Sequence, residues 1–307
     1  NGRSRGLGDV YKRQELNHRF FNEVIIDGDK VTKRCIDPRY EDVHSKEKLW
    51  YNAVSDRLEN IPKIYSYDPL TMGRIGGEHL WNLKENKEQL INNFCDALDS
   101  LHSIAEVDAN TDDMIDVYLK KTKSRVKEVR SLIRDIDEPM VKINSRMCIN
   151  PLCDEEYFEE HIKKISNIDK FNIIHGDNTF SNTIADENSK IWFIDPRGVF
   201  GSTPIYGDRR YDYAKLYYSA YGNYDSINSK DYRIKLDRRN VDLEIKSNGY
   251  EEFADLIIKR SGVPKAEIQL IHACIWFALT GYVKEDYDAV LFAFYKGCQL
   301  WTEAVSD

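Results

Sequence analysis

The sequence predicts an α+β protein of two lobes, a small antiparallel sheet with one helix followed by a larger, mainly helical lobe. Three observations carry this. Near the start, two β-rich runs within FFNEVIIDGDKVTKRCI flank Asp27-Gly28-Asp29, a strong hairpin signal. Residues 71–80, TMGRIGGEHL, hold three glycines, a composition shift that marks a hinge between lobes. Beyond it, apolar residues recur mainly at helical spacing, interrupted by one pair of short apolar strands near residues 173–195.

Residues 4–14, SRGLGDVYKRQ, belong to none of these elements. One codon set for DVYKRQ resembles the mosaic-end sequence of transposase-made libraries, and SRGLG back-translates into the adapter upstream of it. Residues 1–14 are therefore read as a non-native scar resembling a translated sequencing adapter, and are set aside. Native sequence is expected from about Glu15, with its true start missing.

The small lobe is expected over 15–78. Its hairpin is followed by Ser45–Leu58, with apolar residues at 49, 50, 53, 54 and 58 that give one face of a helix. Ile61–Leu70 reads as a proline-bounded strand pair, and 71–78 as the hinge. The larger lobe, 79–307, opens with an amphipathic helix between 84 and 104, whose stripe is Leu90, Ile91, Phe94, Ala97, Leu98, Leu101 and Ile104. His102 near its end reads as a packed or hydrogen-bonded structural histidine. A charged helix is expected over Tyr118–Ile136, a loop over 144–151, and a further helix over Asp154–Ile165. Residues 225–248 are polar and read as loops with short pieces of regular structure. A helix over Glu251–Ser261 is stopped by Gly262 and Pro264. Two more follow at Lys265–Val283 and Tyr287–Ala304, the first apolar nearly all round and so expected in the core of the large lobe.

The chemistry concentrates in Ile173–Gly198, IIHGDNTFSNTIADENSKIWFIDPRG. Here Asp177, Asn182 and Asp195 place two carboxylates and an amide oxygen at the ends of short strands, a ligand set suited to Mg²⁺. Phosphoryl transfer from ATP uses the same three groups: one Asp takes the proton of the attacking hydroxyl, an Asn five residues later holds metal, and an Asp on the next strand holds the metals that bridge the phosphates. An H-x-D pair, His175 with Asp177, also occurs in metallohydrolases, but such a site wants further histidines. None of the other six falls in this segment. His175 is read as a brace for the loop. Arg197 suits either a phosphate contact through its planar fork or an ion pair within the chain.

HGDxxxxN with a bare acid on the following strand resembles the aminoglycoside phosphotransferase and choline kinase family, small-molecule kinases with a protein-kinase-like fold. IDPRG followed by FG, and YGDRRYDYAKLYYS at 206–219, resemble a bacterial branch associated with surface-polysaccharide genes. The resemblance runs from Asn22 to about Tyr224. It implies a cleft between the lobes that holds ATP and Mg²⁺, and transfer of the γ-phosphoryl group to a hydroxyl of a small molecule, a sugar or sugar-like alcohol. Choline or an aminoglycoside is the alternative acceptor, since aromatic cages bind quaternary amines and tyrosines crowd 206–224, where packing explains them equally. By the same resemblance Lys33, in Val31-Thr32-Lys33, would steady the phosphates, and Glu47, fourteen residues on, would pair with it. Backbone near Met72 and Arg74 would read the adenine edge. GDRRYDYAKL at 207–216 corresponds to a GDxxYDLA element in which Asp212 braces the loop, while Asp208, Arg209 and Arg210 lie where an acceptor approaches. One departure stands out: LNHRFFNEV at 16–24 has no glycine where protein kinases carry a glycine-rich cover, so other amides replace it or the cover preceded the present start.

Composition narrows the remaining classes. Hydrophobic residues make up 41%, charged 31% and aromatic 12%, as in soluble globular proteins. A net charge of −8 argues against nucleic acid as the main partner. The longest apolar run, Leu270–Val283, is too short and interrupted to span a bilayer. Six cysteines without zinc spacing suit isolated thiols in a reducing cytoplasm. A non-catalytic nucleotide-binding scaffold is the reading from another class, and no group it would lack is missing.

Overall fold

The computed structural model describes residues 22–306. The stretch read as a scar and most of the glycine-free segment lie outside the described residues. Strands β1 (Asn22–Asp27) and β2 (Lys30–Cys35) pair antiparallel, with Asp27 opposite Lys30. Gly28 turns the chain at φ +59, a conformation glycine adopts without a Cβ penalty. Helix α1 (Glu41–Val54) begins a turn before the expected Ser45. Asp37 accepts from the Arg39 amide at 3.1 Å and caps a 3-10 turn opened by Pro38, and Glu41 and Asp42 then favour the helix N-terminus. Strands β3 (Ile64–Tyr67) and β4 (Leu70–Gly73) complete a four-stranded sheet of order β1-β2-β4-β3. The strand pair expected over 61–70 thus extends to Gly73, and the connection to the larger lobe is confined to 74–77.

The larger lobe starts with β5 (Glu78–His79) and α2 (Lys87–His102), followed by β6 (Glu106–Asp108). Helix α3 (Thr111–Ile115) passes through a π-helical turn at 116–120 into α4 (Lys121–Glu128). The helix expected over 118–136 therefore starts earlier and ends earlier. Asn110 caps it by accepting from the Asp112 amide at 3.1 Å. Asn150 Nδ2 donates to the carbonyls of Ile136 (2.9 Å) and Glu138 (3.0 Å), holding 136–138 off a helical path. The expected loop at 144–151 contains a strand: β7 (Met140–Ile143) and β8 (Arg146–Ile149) form a hairpin whose turn residues Asn144 and Ser145 both have positive φ. Serine is an uncommon occupant of that conformation, which hid the turn. Helix α5 (Glu155–Ile165) follows, capped by Asp154.

Strand β9 (Lys170–Ile173) leads into the loop of interest, then β10 (Thr183–Ala185) and β11 (Ile191–Phe193) form its hairpin, with β5 joining on the free edge of β10. Short strands β12 (Val199–Phe200), β13 (Thr203–Pro204) and β14 (Tyr206–Gly207) bring the chain back to pair β14 with β9. Helix α6 (Arg209–Ala220) is buried along almost its whole length. After α7 (Asp225–Asn228), strands β15 (Tyr232–Leu236) and β16 (Val241–Ile245) give regular structure to the polar region and join the β7–β8 hairpin. Helix α8 (Ala254–Ser261) ends at Gly262, and α9 (Lys265–Tyr282) and α10 (Tyr287–Ser306) pack together around Trp276, Phe277, Phe292, Phe294 and Trp301, all fully buried. The result is a two-lobed α+β architecture, a small antiparallel sheet with one helix and a larger, mainly helical lobe. Among the described residues no helix is long and apolar enough to cross a membrane, and the six cysteines are free thiols.

Candidate active site

The HGD loop is held by a buried carboxylate. Asp212, on the first turn of α6 and 0% exposed, accepts from the backbone amides of His175 and Gly176, both at 2.8 Å, and from His102 Nε2 at 3.1 Å. Its own carbonyl accepts from Asn178 Nδ2 at 2.9 Å. A buried carboxylate needs such donors to offset its lost hydration, so Asp212 fixes the loop's path. His175 Nε2 donates to the Ile194 carbonyl at 3.0 Å, while Nδ1 accepts from the Asp177 amide at 3.2 Å. Both ring nitrogens are thus engaged in tying the loop to the strand that ends in Asp195, which suits a brace and leaves neither for zinc. From the small lobe, the Trp50 indole donates to the Ile174 carbonyl at 2.7 Å.

On this frame Asp177 meets Asn182 and Lys215 among its partners. Asn182 Nδ2 donates to its carbonyl at 2.7 Å and its Oδ2 at 3.1 Å, and Lys215 Nζ lies 3.0 Å from Oδ1. Burial alone would lower the Lys215 pKa, but the Asp177 charge beside it prevails and holds it above the ordinary lysine range. Asp195 follows β11 at φ +56, a left-handed conformation that Asp tolerates better than most residues. Lys33, on β2 and 8% exposed, donates to Glu47 Oε1 at 2.8 Å and also contacts Asp195 Oδ1. Glu47 lies in the second turn of α1 rather than near its start. One lysine of the small sheet therefore joins the helix beneath it to the acid of the larger lobe.

The donor set fits magnesium better than a self-sufficient metal site. Because Asn182 turns its amide nitrogen toward Asp177, its Oδ1 accepts no hydrogen bond among the described residues. Ile194 N donates to the Asn182 carbonyl at 3.0 Å, placing Asn182 beside the residue preceding Asp195. Among the described residues, no group of three or more His, Cys, Asp or Glu could hold an ion alone. Magnesium ordinarily takes one or two protein oxygens and completes its shell with phosphate and water.

Other candidates fall elsewhere. Met72 sits inside β4, its side chain buried, between Val31 of β2 and Ile64 of β3, so its backbone belongs to the sheet. The Arg74 amide donates to the Asp29 carbonyl at 2.7 Å, leaving Ile75 and Gly76 as the first residues beyond the ladder. Asp208 and Arg210 are buried and paired with each other. Arg210 Nε donates to Asp208 at 2.9 Å and its other nitrogens reach Glu267 (2.6 Å) and the Ile165 carbonyl (2.7 Å), in the interior with Tyr118 donating to Asp208. Arg209 donates to the Ser261 carbonyl at 3.1 Å. Arg197 is exposed and has no ion pair among the described residues, although its backbone amide donates to the His175 carbonyl at 2.9 Å. Sequence reasoning missed Lys215, Lys121 and Asp225. Asp225 accepts from the Ser181 amide and hydroxyl at 3.0 and 2.8 Å, anchoring the turn that presents Asn182.

No family model matches the chain, and no curated protein sequence matches it. Solved structures do. The chain is similar to a choline/ethanolamine kinase family protein from Mesorhizobium loti at 13% identity and a TM-score of 0.49, over 94% of this chain and 90% of that one. It is similar to spectinomycin phosphotransferase in complex with ADP and spectinomycin at 9% identity and a TM-score of 0.44, over 92% and 88%. It is likewise similar to choline kinase from Cryptosporidium parvum Iowa II at 12% identity and a TM-score of 0.44, over 94% and 90%. Likenesses of this size carry nothing about chemistry, which rests on the side chains described above.

Proposed function

We propose that this protein is an ATP-dependent phosphotransferase that moves the γ-phosphoryl group to a hydroxyl of a small molecule, a sugar or sugar-like alcohol, as the IDPRG resemblance to surface-polysaccharide kinases implies. The observation that carries this reading is the contact of Lys33 with both Glu47 and Asp195. Phosphoryl transfer leaves little covalent work to the protein, and its recurring parts are a strand lysine paired to a helix glutamate, a strand-end acid for metal, and a loop Asp with an Asn five residues on.

In this reading Asp177 orients the acceptor hydroxyl and takes its proton, with Lys215 paired to the carboxylate and Asn182 fixing its direction. Asn182 Oδ1 and Asp195 would hold magnesium, which when bound neutralises charge on the phosphates. Lys33, backed by Glu47, steadies the phosphates. Asp212 and His175 position the loop without touching substrate. The Met72 and Arg74 amides being used within the sheet, the adenine edge would be read by the Arg74 carbonyl and the amides just after it.

The test is acceptor-stimulated ADP release with Mg²⁺ across a panel of sugars, amino sugars and choline. Asp177→Ala and Asp195→Ala should each lower turnover by about a thousandfold or more while the protein stays folded by circular dichroism, because each removes charge placed at the reacting groups. Undiminished turnover in either variant removes the assignment.

A further inference from the structure

A cleft of about 140 Å³ is lined by Lys121, Arg197 and Tyr211, and Gly176, the neighbour of Asp177, packs against Arg197. Its charge is lopsided. Neither Lys121 nor Arg197 has a carboxylate within 4.0 Å among the described residues. The lining residue Asp116 is itself paired to Lys120 at 2.6 Å. Lys215 adds a third cation: its ammonium group sits 5.8 Å from the centre of the Tyr211 ring and bonds Asp177. Lys121 and Arg197 thus line the cleft with no counter-ion among the described residues, and Lys215, paired to Asp177, approaches it from the Tyr211 side.

We infer that the acceptor is an anionic polyol, a sugar phosphate or sugar acid, whose oxyanion is held by Lys121 and Arg197 while a neighbouring hydroxyl faces Asp177. This deepens the phosphotransferase reading and rests on it. Lys121 is partly buried with no carboxylate beside it among the described residues, and an oxyanion is the ligand that offsets the cost of such a charge, with the exposed Arg197 at the mouth to meet it. Arginine supplies a planar fork and lysine a mobile point charge, a common division of labour at oxyanions. The same geometry disfavours a quaternary amine. The aromatic faces that would cage one, Tyr211 and Tyr218, already lie 5.8 and 5.1 Å from the Lys215 ammonium group. Burial and then the charges of Arg197, Lys215 and Arg125 push the Lys121 pKa well down.

Two measurements test this together. The first is calorimetric titration of inorganic phosphate into the protein saturated with ADP and Mg²⁺. Binding is expected, weakened about tenfold or more in Lys121→Met and in Arg197→Met, the factor expected for loss of a charge-assisted hydrogen bond, and retained in Asp195→Ala. Absence of binding, or binding that follows Asp195 instead of Lys121, overturns the inference, the latter because phosphate then sits at the nucleotide's metal. The second is turnover with glucose, glucose 6-phosphate, glucuronate and choline. One of the two anionic sugars should exceed glucose by about tenfold or more in kcat/KM, and Lys121→Met should raise its KM while leaving kcat nearly unchanged, the signature of lost uniform binding. The pair glucose 6-phosphate and glucuronate separates phosphate from carboxylate. Asp195-dependent turnover of glucose or choline equal to that of the anions leaves the phosphotransferase reading intact and overturns this one. ATP turnover with no acceptor dependence, unchanged in Asp195→Ala, removes the phosphotransferase reading and this inference with it.

Discussion

At the scale of single residues, Lys215 is a cation buried against the carboxylate it is proposed to serve. Lys215→Met would leave Asp177 without that charge beside it. The expected result is a turnover loss of about ten- to a hundredfold. Since the folded-state pKa of Lys215 is raised, the pair's contribution to stability is complete below the unfolded lysine pKa and lost only as pH climbs through the folded value. It should not vary between pH 6 and 9. Asp225 works in the opposite sense. Burial raises its pKa despite hydrogen bonds from Ser219 and Ser181, and its Oδ2 has no partner. Its ionised form therefore costs stability at neutral pH. Asp225→Asn keeps Oδ1 as acceptor for Ser181, so its Tm should equal or exceed the parent's at pH 7, with the gain disappearing below about pH 4. Asp177, Asn182 and Asp195 were legible in the sequence because their chemistry is written at short spacing. Lys215 was not, because in YDYAKL it reads as a solvated helix charge and only the burial of α6 on all sides turns it inward.

At the scale of elements, Gly198 fixes how closely the segment after Asp195 approaches α1. It has φ +65, and a Cβ there would lie 2.6 Å from the Lys46 carbonyl, next to Glu47. Gly198→Ala must displace the helix or the segment. Turnover should fall with Tm, because Glu47 would shift from Lys33. Gly262→Ala is the control: φ is +67 but nothing lies within 4 Å of the added Cβ, so it should cost about 1–2 kcal/mol from left-handed strain alone and leave turnover unchanged. Equal effects of the two in both assays would mean that Gly198 sets no distance. The hairpin 199–204 depends on a different device. Asp113 of α3 accepts from the amide and hydroxyl of Ser202 (2.7 and 2.9 Å) and of Thr203 (3.1 and 2.5 Å). Burial would raise its pKa, but these four donors outweigh it and hold it low, so this stabilisation is present above the unfolded carboxylate pKa and lost as pH falls through the folded one. Helices with a strong apolar stripe, such as α2, were legible from periodicity. The α3–α4 helix starts earlier than expected because Asn110 caps it, and residues 136–138 leave the expected helix because the side chain of Asn150, twelve to fourteen positions on, donates to the carbonyls of Ile136 and Glu138.

At the scale of the whole molecule, the lobes meet through a few polar ties between distant parts of the chain. The Asn60 amide group donates to the Ile191 carbonyl at 2.8 Å, the Phe193 amide donates to the Asn60 carbonyl at 2.7 Å, and Trp50 and Lys33 add theirs to Ile174 and Asp195. The two-lobed plan was legible, since a hairpin, a glycine-rich connection and apolar helices are each local signals. These ties were not, because each pairs residues more than a hundred positions apart. In the proposed function one of these ties also bears on nucleotide binding: Lys33 contacts Asp195, and bound magnesium would compete with Lys33 for that carboxylate. A ligand that binds only the folded state at a hundred times its Kd stabilises by about 2.7 kcal/mol, which at roughly 2–4 °C per kcal/mol gives a Tm rise of several degrees. The expected pattern is a rise with a non-hydrolysable ATP analogue and Mg²⁺, a smaller one with the analogue and EDTA, and in Asp195→Ala no difference between the two. A metal-dependent rise that survives Asp195→Ala would place the ion on other residues. No rise under any condition would mean that the seam between these lobes holds no nucleotide.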